Sequence, residues 1–152
     1  MKRTARCGII AAMLLAASAH AQSPAADEAV LPPAVLAHAS GEQIFQHICQ
    51  GCHMPDARGA TGAGTYPALA KDANLESAAF AAATVLSGRR DMPAFGPRTD
   101  LQGFEAMLHV DLDDAQIAAV VNYIRSHFGN HYADTLSAAD VAALHPPTPH
   151  KP

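Results

Sequence analysis

A chain of 152 residues has room for one domain. Apolar residues make up 49% of it, but Ala dominates them, Trp is absent and aromatics reach only 5%, so side chains alone give a core little bulk. Ten Lys and Arg stand against fourteen Asp and Glu, a formal charge of −4. That balance lacks the basic footprint of a nucleic-acid binder. The cysteine count of three also excludes a framework of paired disulfides.

Lys2, Arg3 and Arg6 precede an apolar run from Gly8 to Ala17, and Ala19-His20-Ala21 is a small-x-small cleavage site. Residues 1–21 therefore read as a secretory signal peptide, and export to the periplasm is expected. The run is too short to span a bilayer comfortably. No later stretch is longer and as apolar, so the mature chain is expected to have no membrane-spanning segment. Cys7 leaves with the signal; it precedes the apolar run, which excludes a lipoprotein anchor. Loss of those three bases leaves seven Lys and Arg against fourteen Asp and Glu, a formal charge of −7. Such a surface either steers a basic partner or is simply solvated.

Residues 22–40, rich in Ala and Pro, form a leader. It is either an extended strap, packed through Val30-Leu31-Pro32-Pro33 and Val35-Leu36, or a flexible segment. A first helix begins at Ser40 or Gly41. Ile44, Ile48 and Cys52 recur every four residues, with Phe45 and Cys49 on the adjacent stripe, so the apolar face ends in the two cysteines. Residues 54–74, with glycines and with Pro55 and Pro67, read as loop. A second helix is predicted from Leu75 to Leu86, with Leu75, Ala78, Ala79, Ala82 and Leu86 on one face and Gly88 as its stop.

Between Pro97 and Val110, the set Leu101, Phe104 and Leu108 suggests one or two helical turns, with Met107 as a core residue beside them. Asp113 and Gln116 form a capping box. The helix that follows carries Ile117, Val120, Val121, Ile124 and Phe128 at helical spacing, and Gly129 closes it. Ser137 and Asp140 open a short helix through Leu144, and residues 145–152 read as a disordered tail. No strand with period two and no internal repeat is visible. The expected fold is all-α, with the domain at residues 41–144.

The chemistry lies in Cys49-Gln50-Gly51-Cys52-His53. This C-x-x-C-H spacing is that of a c-type haem attachment site. Two thiols can form thioethers to the porphyrin vinyl groups, and the next residue brings an imidazole to the iron. A buried porphyrin would also supply the missing core bulk. A thioredoxin-like pair expects a preceding strand, and here a helix precedes. A zinc site needs about four ligands, and no second Cys pair follows. Met92, 39 residues after His53, is the candidate second axial ligand. It sits in a non-helical Asp91-Met92-Pro93 stretch. Met54 is too close to His53 to reach the opposite face, Met107 fits a core, and His109 is the remaining rival. Arg58, Arg89 and Arg90 either neutralise haem propionates or are solvated. Tyr66 either hydrogen-bonds a propionate or packs its ring.

These residues resemble class I cytochrome c. Phe45, the Cys49-x-x-Cys52-His53 run, the Met92-Pro93 loop and Asn122-Tyr123-Ile124-Arg125 in the last long helix stand in that family's order. Tyr66-Pro67-Ala68-Leu69 and Tyr123 to Asn130 are similar to the cytochrome subunits of bacterial periplasmic dehydrogenases. Many such subunits carry several haems; the single C-x-x-C-H here can hold one. The stretch from Gly96 to Asp111 is longer than is usual before the last helix. The resemblance implies three main helices plus short ones wrapped around one covalently bound haem c. It implies that Gly41 and Phe45 meet Tyr123, and that a proline carbonyl, from Pro67 or Pro55, accepts from the ligand His. It also implies an electron carrier with His53 and Met92 as iron ligands. The expected donor is a periplasmic dehydrogenase and the expected acceptor an oxidase or another cytochrome of a respiratory chain. The competing reading is a haem enzyme or gas-binding protein with an open sixth iron position.

Overall fold

The computed structural model describes residues 33–62 and 64–146. The predicted signal peptide, most of the leader and the end of the tail lie outside the described residues. The last leader residues form a helical turn, α1 (Pro33–Leu36), where an extended strap is one expectation. Leu36 packs against the core, and its carbonyl accepts from Gln116 Nε2 at 2.6 Å.

Ser40 starts the next helix through a capping box. Its Oγ accepts from the Gln43 amide at 3.2 Å, and Gln43 Oε1 accepts from the Ser40 amide at 2.9 Å. Three segments follow without a break: α2 (Gly41–Ile44), a π-helical turn (Phe45–Cys49) and α3 (Gln50–His53). In the wide turn the Gln50 amide donates to the Phe45 carbonyl, five residues back. One additional residue per turn rotates everything after it by about 100° relative to an α-helix. The expected single stripe of Ile44, Ile48 and Cys52 is therefore broken. Ile44 and Phe45 are buried, Cys52 is exposed, and His53 turns inward, 8% exposed.

An antiparallel hairpin, β1 (Ala60–Thr61) and β2 (Thr65–Tyr66), pairs Ala60 with Tyr66 and Thr61 with Thr65. It adds one short hairpin to a mostly helical fold; strands of two residues are too short to show a period. A 3₁₀ turn (Ala73–Glu76) then leads into α4 (Ala78–Ser87), whose amide at Phe80 is capped by Ser77 Oγ at 3.2 Å. Leu75 thus belongs to the tight turn and not to the helix. Ala81, Ala82, Val85 and Leu86 line the core, whereas Ala79 faces solvent.

Residues after α4 lead to α5 (Gly103–Leu108). Phe104, Met107 and Leu108 are 72%, 81% and 66% exposed, which overturns the expectation that they pack in the core. The chain returns to the interior only at Leu112, 1% exposed. α6 (Asp114–Ser126) begins with a capping box in which Asp113 and Gln116 exchange two bonds of 2.8 Å. Its Ile117, Val120, Val121 and Ile124 are buried as their spacing predicts. It ends two residues before Phe128, where Phe128 and Gly129 both take positive φ. α7 (Ala138–Ala142) is capped by Ser137 and seals the core with Val141.

The first and last main helices cross with backbones almost touching. A Cβ on Gly41 would lie 2.1 Å from the Ala119 carbonyl oxygen and 3.0 Å from Tyr123 Cβ. Only glycine fits there. The Phe45 ring then stands 5.9 Å from that of Tyr123 and 4.7 Å from that of Phe128. This is the meeting of Gly41, Phe45 and Tyr123 that the resemblance implies. Among the described residues no helix is long and apolar enough to cross a membrane.

Candidate functional site

His53 closes α3, and Met54 turns the chain out of the helix with φ +66. The chain then doubles back. The Gly59 amide donates to the His53 carbonyl at 3.0 Å. Gly59 has φ +68, and a Cβ there would meet the Tyr66 carbonyl oxygen at 2.2 Å. Without that Cβ, residue 59 passes close against residues 66–67, and the Pro67 carbonyl lies 2.9 Å from His53 Nδ1. A carbonyl can only accept, so in the neutral ring Nδ1 carries the proton and Nε2 keeps its lone pair for a metal. Of the two prolines in question, Pro67 is the one at the ring.

The loop behind Pro67 is held from two sides. The Leu69 and Ala70 amides both donate to the Ala57 carbonyl, at 2.8 and 2.9 Å. Asn130, 3% exposed, donates from Nδ2 to the Leu69 and Ile124 carbonyls at 2.8 and 2.9 Å. Its Oδ1 accepts from the Asp72 amide at 3.1 Å. Arg125, 1% exposed, donates to the carbonyls of Leu75, Glu76 and Asp134 at 2.8, 3.2 and 2.6 Å, and pairs with the Asp134 carboxylate at 2.7 Å. Neither residue was singled out for these roles from the sequence. A polar side chain next to the buried position Ile124 was the available signal for Arg125.

Cys49 and Cys52 are free thiols, one half-buried and one exposed. Burial, reinforced by the neighbouring Cys52, pushes the Cys49 thiol up to about 12. It is therefore a neutral thiol at ordinary pH. Among the described residues no group of three or more His, Cys, Asp or Glu is gathered to hold a metal ion.

Met92 ends a tight turn in which the Arg89 and Met92 backbones exchange bonds of 3.0 and 3.1 Å, with Arg90 at φ +54. The turn is stitched to the end of α4. Phe95 and Gly96 amides donate to the Val85 and Leu86 carbonyls at 2.9 and 3.0 Å. A Cβ on Gly88 would meet Ala94 N at 2.7 Å and the Met92 oxygen at 2.8 Å. Met92, Phe95, Ile48, Cys49 and Leu69 all pack, half-buried, against the one core.

The other named residues have definite places. Tyr66 is 38% exposed on β2. The Arg89 guanidinium lies 5.7 Å above the Phe80 ring. Arg58 pairs loosely with Asp56 at 3.6 Å, and Arg90 is exposed. Met107 points away from the core. His109 Nε2 is engaged by the Gly96 carbonyl at 3.3 Å and Asp111 Oδ1 at 3.1 Å.

The cytochrome c family model matches residues 38–128. The chain is also similar to the fructose dehydrogenase cytochrome subunit of Gluconobacter japonicus, with 32% identity over 108 residues. That match covers 64% of this chain and 20% of the relative, so the chain spans about a fifth of the relative's length. The residues fit the family's prosthetic group: two unpaired thiols and an imidazole with a fixed tautomer lie within one stretch of five residues. With the family model matching more than half of the chain and this donor set in place, the chain belongs to the cytochrome c family, whose members carry covalently bound haem c.

Proposed function

We propose that this protein is an exported electron carrier with one haem c, held in a class I fold and ligated by His53 and Met92. The observation that carries the reading is the His53–Pro67 bond, which prepares Nε2 as a ligand in the same five-residue stretch that bears both cysteines. Haem c supplies a reversible one-electron couple between ferric and ferrous iron. Cys49 and Cys52 hold it through thioethers and prevent its loss. His53 presents Nε2, and the Pro67 carbonyl makes that nitrogen a stronger donor. Met92 contributes a soft thioether from a turn anchored to α4, which favours the reduced state. Tyr66, exposed on β2, and Arg89, stacked on Phe80, are the proposed propionate partners.

Two axial ligands leave no iron position for a substrate, which favours a carrier over a haem enzyme or gas-binding protein. The similarity to a dehydrogenase cytochrome subunit supports a periplasmic dehydrogenase as donor, with an oxidase or another cytochrome of a respiratory chain as acceptor. The test is a potentiometric titration of the purified holoprotein. The reading expects one reversible one-electron wave that carbon monoxide does not move. A wave displaced by carbon monoxide would establish an open iron position and remove the carrier reading.

A further inference from the structure

The stretch between the Met92 turn and α6 carries an exposed apolar surface outside the Cys49–His53 site. Phe104, Met107 and Leu108 stand at i, i+3 and i+4 of α5 and so form one stripe. All three are more than half exposed. Clustered exposed apolar side chains of this kind mark interaction sites, and aromatic and Met residues are enriched in interface cores.

The stripe is held in place. Arg98 grips Asp100 through two bonds of 2.6 Å, and the Arg98 amide donates to Asp111 Oδ1 at 3.2 Å. His109 ties the far end to the Gly96 carbonyl. The Leu112 amide donates to the Phe95 carbonyl at 2.7 Å, three residues from Met92. The loop is thus closed at its neck and presents α5 outward.

Its charge selects the partner. Asp100, Glu105 and Asp111 share the loop with one strong base, Arg98. Arg98 and Asp100 neutralise each other in their pair, so Glu105 and Asp111 give the loop its net negative charge. We propose that the Phe104–Met107–Leu108 stripe is the docking surface for a protein with an apolar hollow rimmed by Lys and Arg, namely the one that delivers electrons. This rests on the electron-carrier reading. The acidic surroundings repel the two other occupants of such a stripe, an anionic bilayer and a second copy of this acidic chain.

The test uses the full chain in its native host. A benzophenone amino acid replaces Phe104, or Thr135 as an exposed control, and the periplasmic protein cross-linked only from position 104 is identified and purified. Reduction of the haem by that protein is then compared for the wild type and the triple variant Phe104→Ser/Met107→Ser/Leu108→Ser. The proposal expects a rise in KM of about tenfold or more, further weakening with salt, and unchanged spectrum and unchanged reduction by ascorbate. Equal KM values, cross-links only between copies, or binding to anionic phosphatidylglycerol vesicles would each overturn it. So would a changed haem spectrum in the triple variant, which would make the stripe part of the cofactor's own lining. A wild-type haem that neither ascorbate nor the captured protein reduces would instead overturn the electron-carrier reading itself.

Discussion

The carbonyl of Pro67 lies 2.9 Å from Nδ1 of His53, across fourteen residues of chain. That one contact sets which nitrogen of the ring is free. It depends on a glycine, because a Cβ at position 59 would lie 2.2 Å from the Tyr66 carbonyl oxygen.

Gly59→Ala should push residues 66–67 away. The overpacking costs about 1–3 kcal/mol in urea unfolding. It should also lengthen the His53–Pro67 bond and leave the ring a weaker donor, so the reduction potential of the holoprotein should rise. A variant with lower stability and unchanged potential would detach the contact from the ligand.

Asn130→Ala removes both donors and the acceptor that join the end of α6 to residues 69–72. It leaves the half-buried Leu69 carbonyl without this donor and the Ile124 carbonyl with only the His127 amide at 3.3 Å. A loss of about 1–3 kcal/mol is expected, with faster amide exchange at Asp72 in hydrogen-exchange mass spectrometry.

Gly41→Ala tests the crossing of the first and last helices. The added carbon meets the Ala119 carbonyl oxygen at 2.1 Å and has no void to enter. The helices must part, and a loss of about 1–3 kcal/mol is expected from denaturant midpoints. Tyr123→Phe, which keeps the ring against Phe45, should be nearly neutral.

The hydrogen bond from Arg125 holds the Asp134 carboxyl below its ordinary 3.8, with the positive charge adding to it. Native Asp134 therefore binds its proton less readily than unfolded Asp134. The resulting stability is fully present above the ordinary carboxylate range and is lost as pH falls through the lowered value. Urea midpoints of wild type and Asp134→Asn should differ most near pH 7 and converge as the pH falls below 3.8. A gap that stays constant would show that the pair carries no acid dependence.

Much of this was legible because it is local. α6 has a capping box and an apolar stripe long enough to define a period, and C-x-x-C-H is contiguous. The π-helical turn was not legible, because its bond to the fifth residue back needs no particular residue type. The hairpin was too short to alternate. The α5 residues have helical spacing, which in sequence looks the same whether the stripe faces a core or solvent; the closed neck at Arg98, His109 and Asp111 decides it. Arg125 and Asn130 act across 50 and 61 residues, so their partners exist only once the chain has folded.

The most direct test of the central claim is the absorption spectrum of the holoprotein, oxidised and reduced, with and without carbon monoxide, beside that of Met92→Ala. His53 and Met92 as joint ligands predict a low-spin wild-type spectrum with the ferric-to-thioether band, inert to carbon monoxide. They predict loss of that band and binding of carbon monoxide in Met92→Ala. A high-spin wild-type spectrum that already shifts with carbon monoxide would contradict the account.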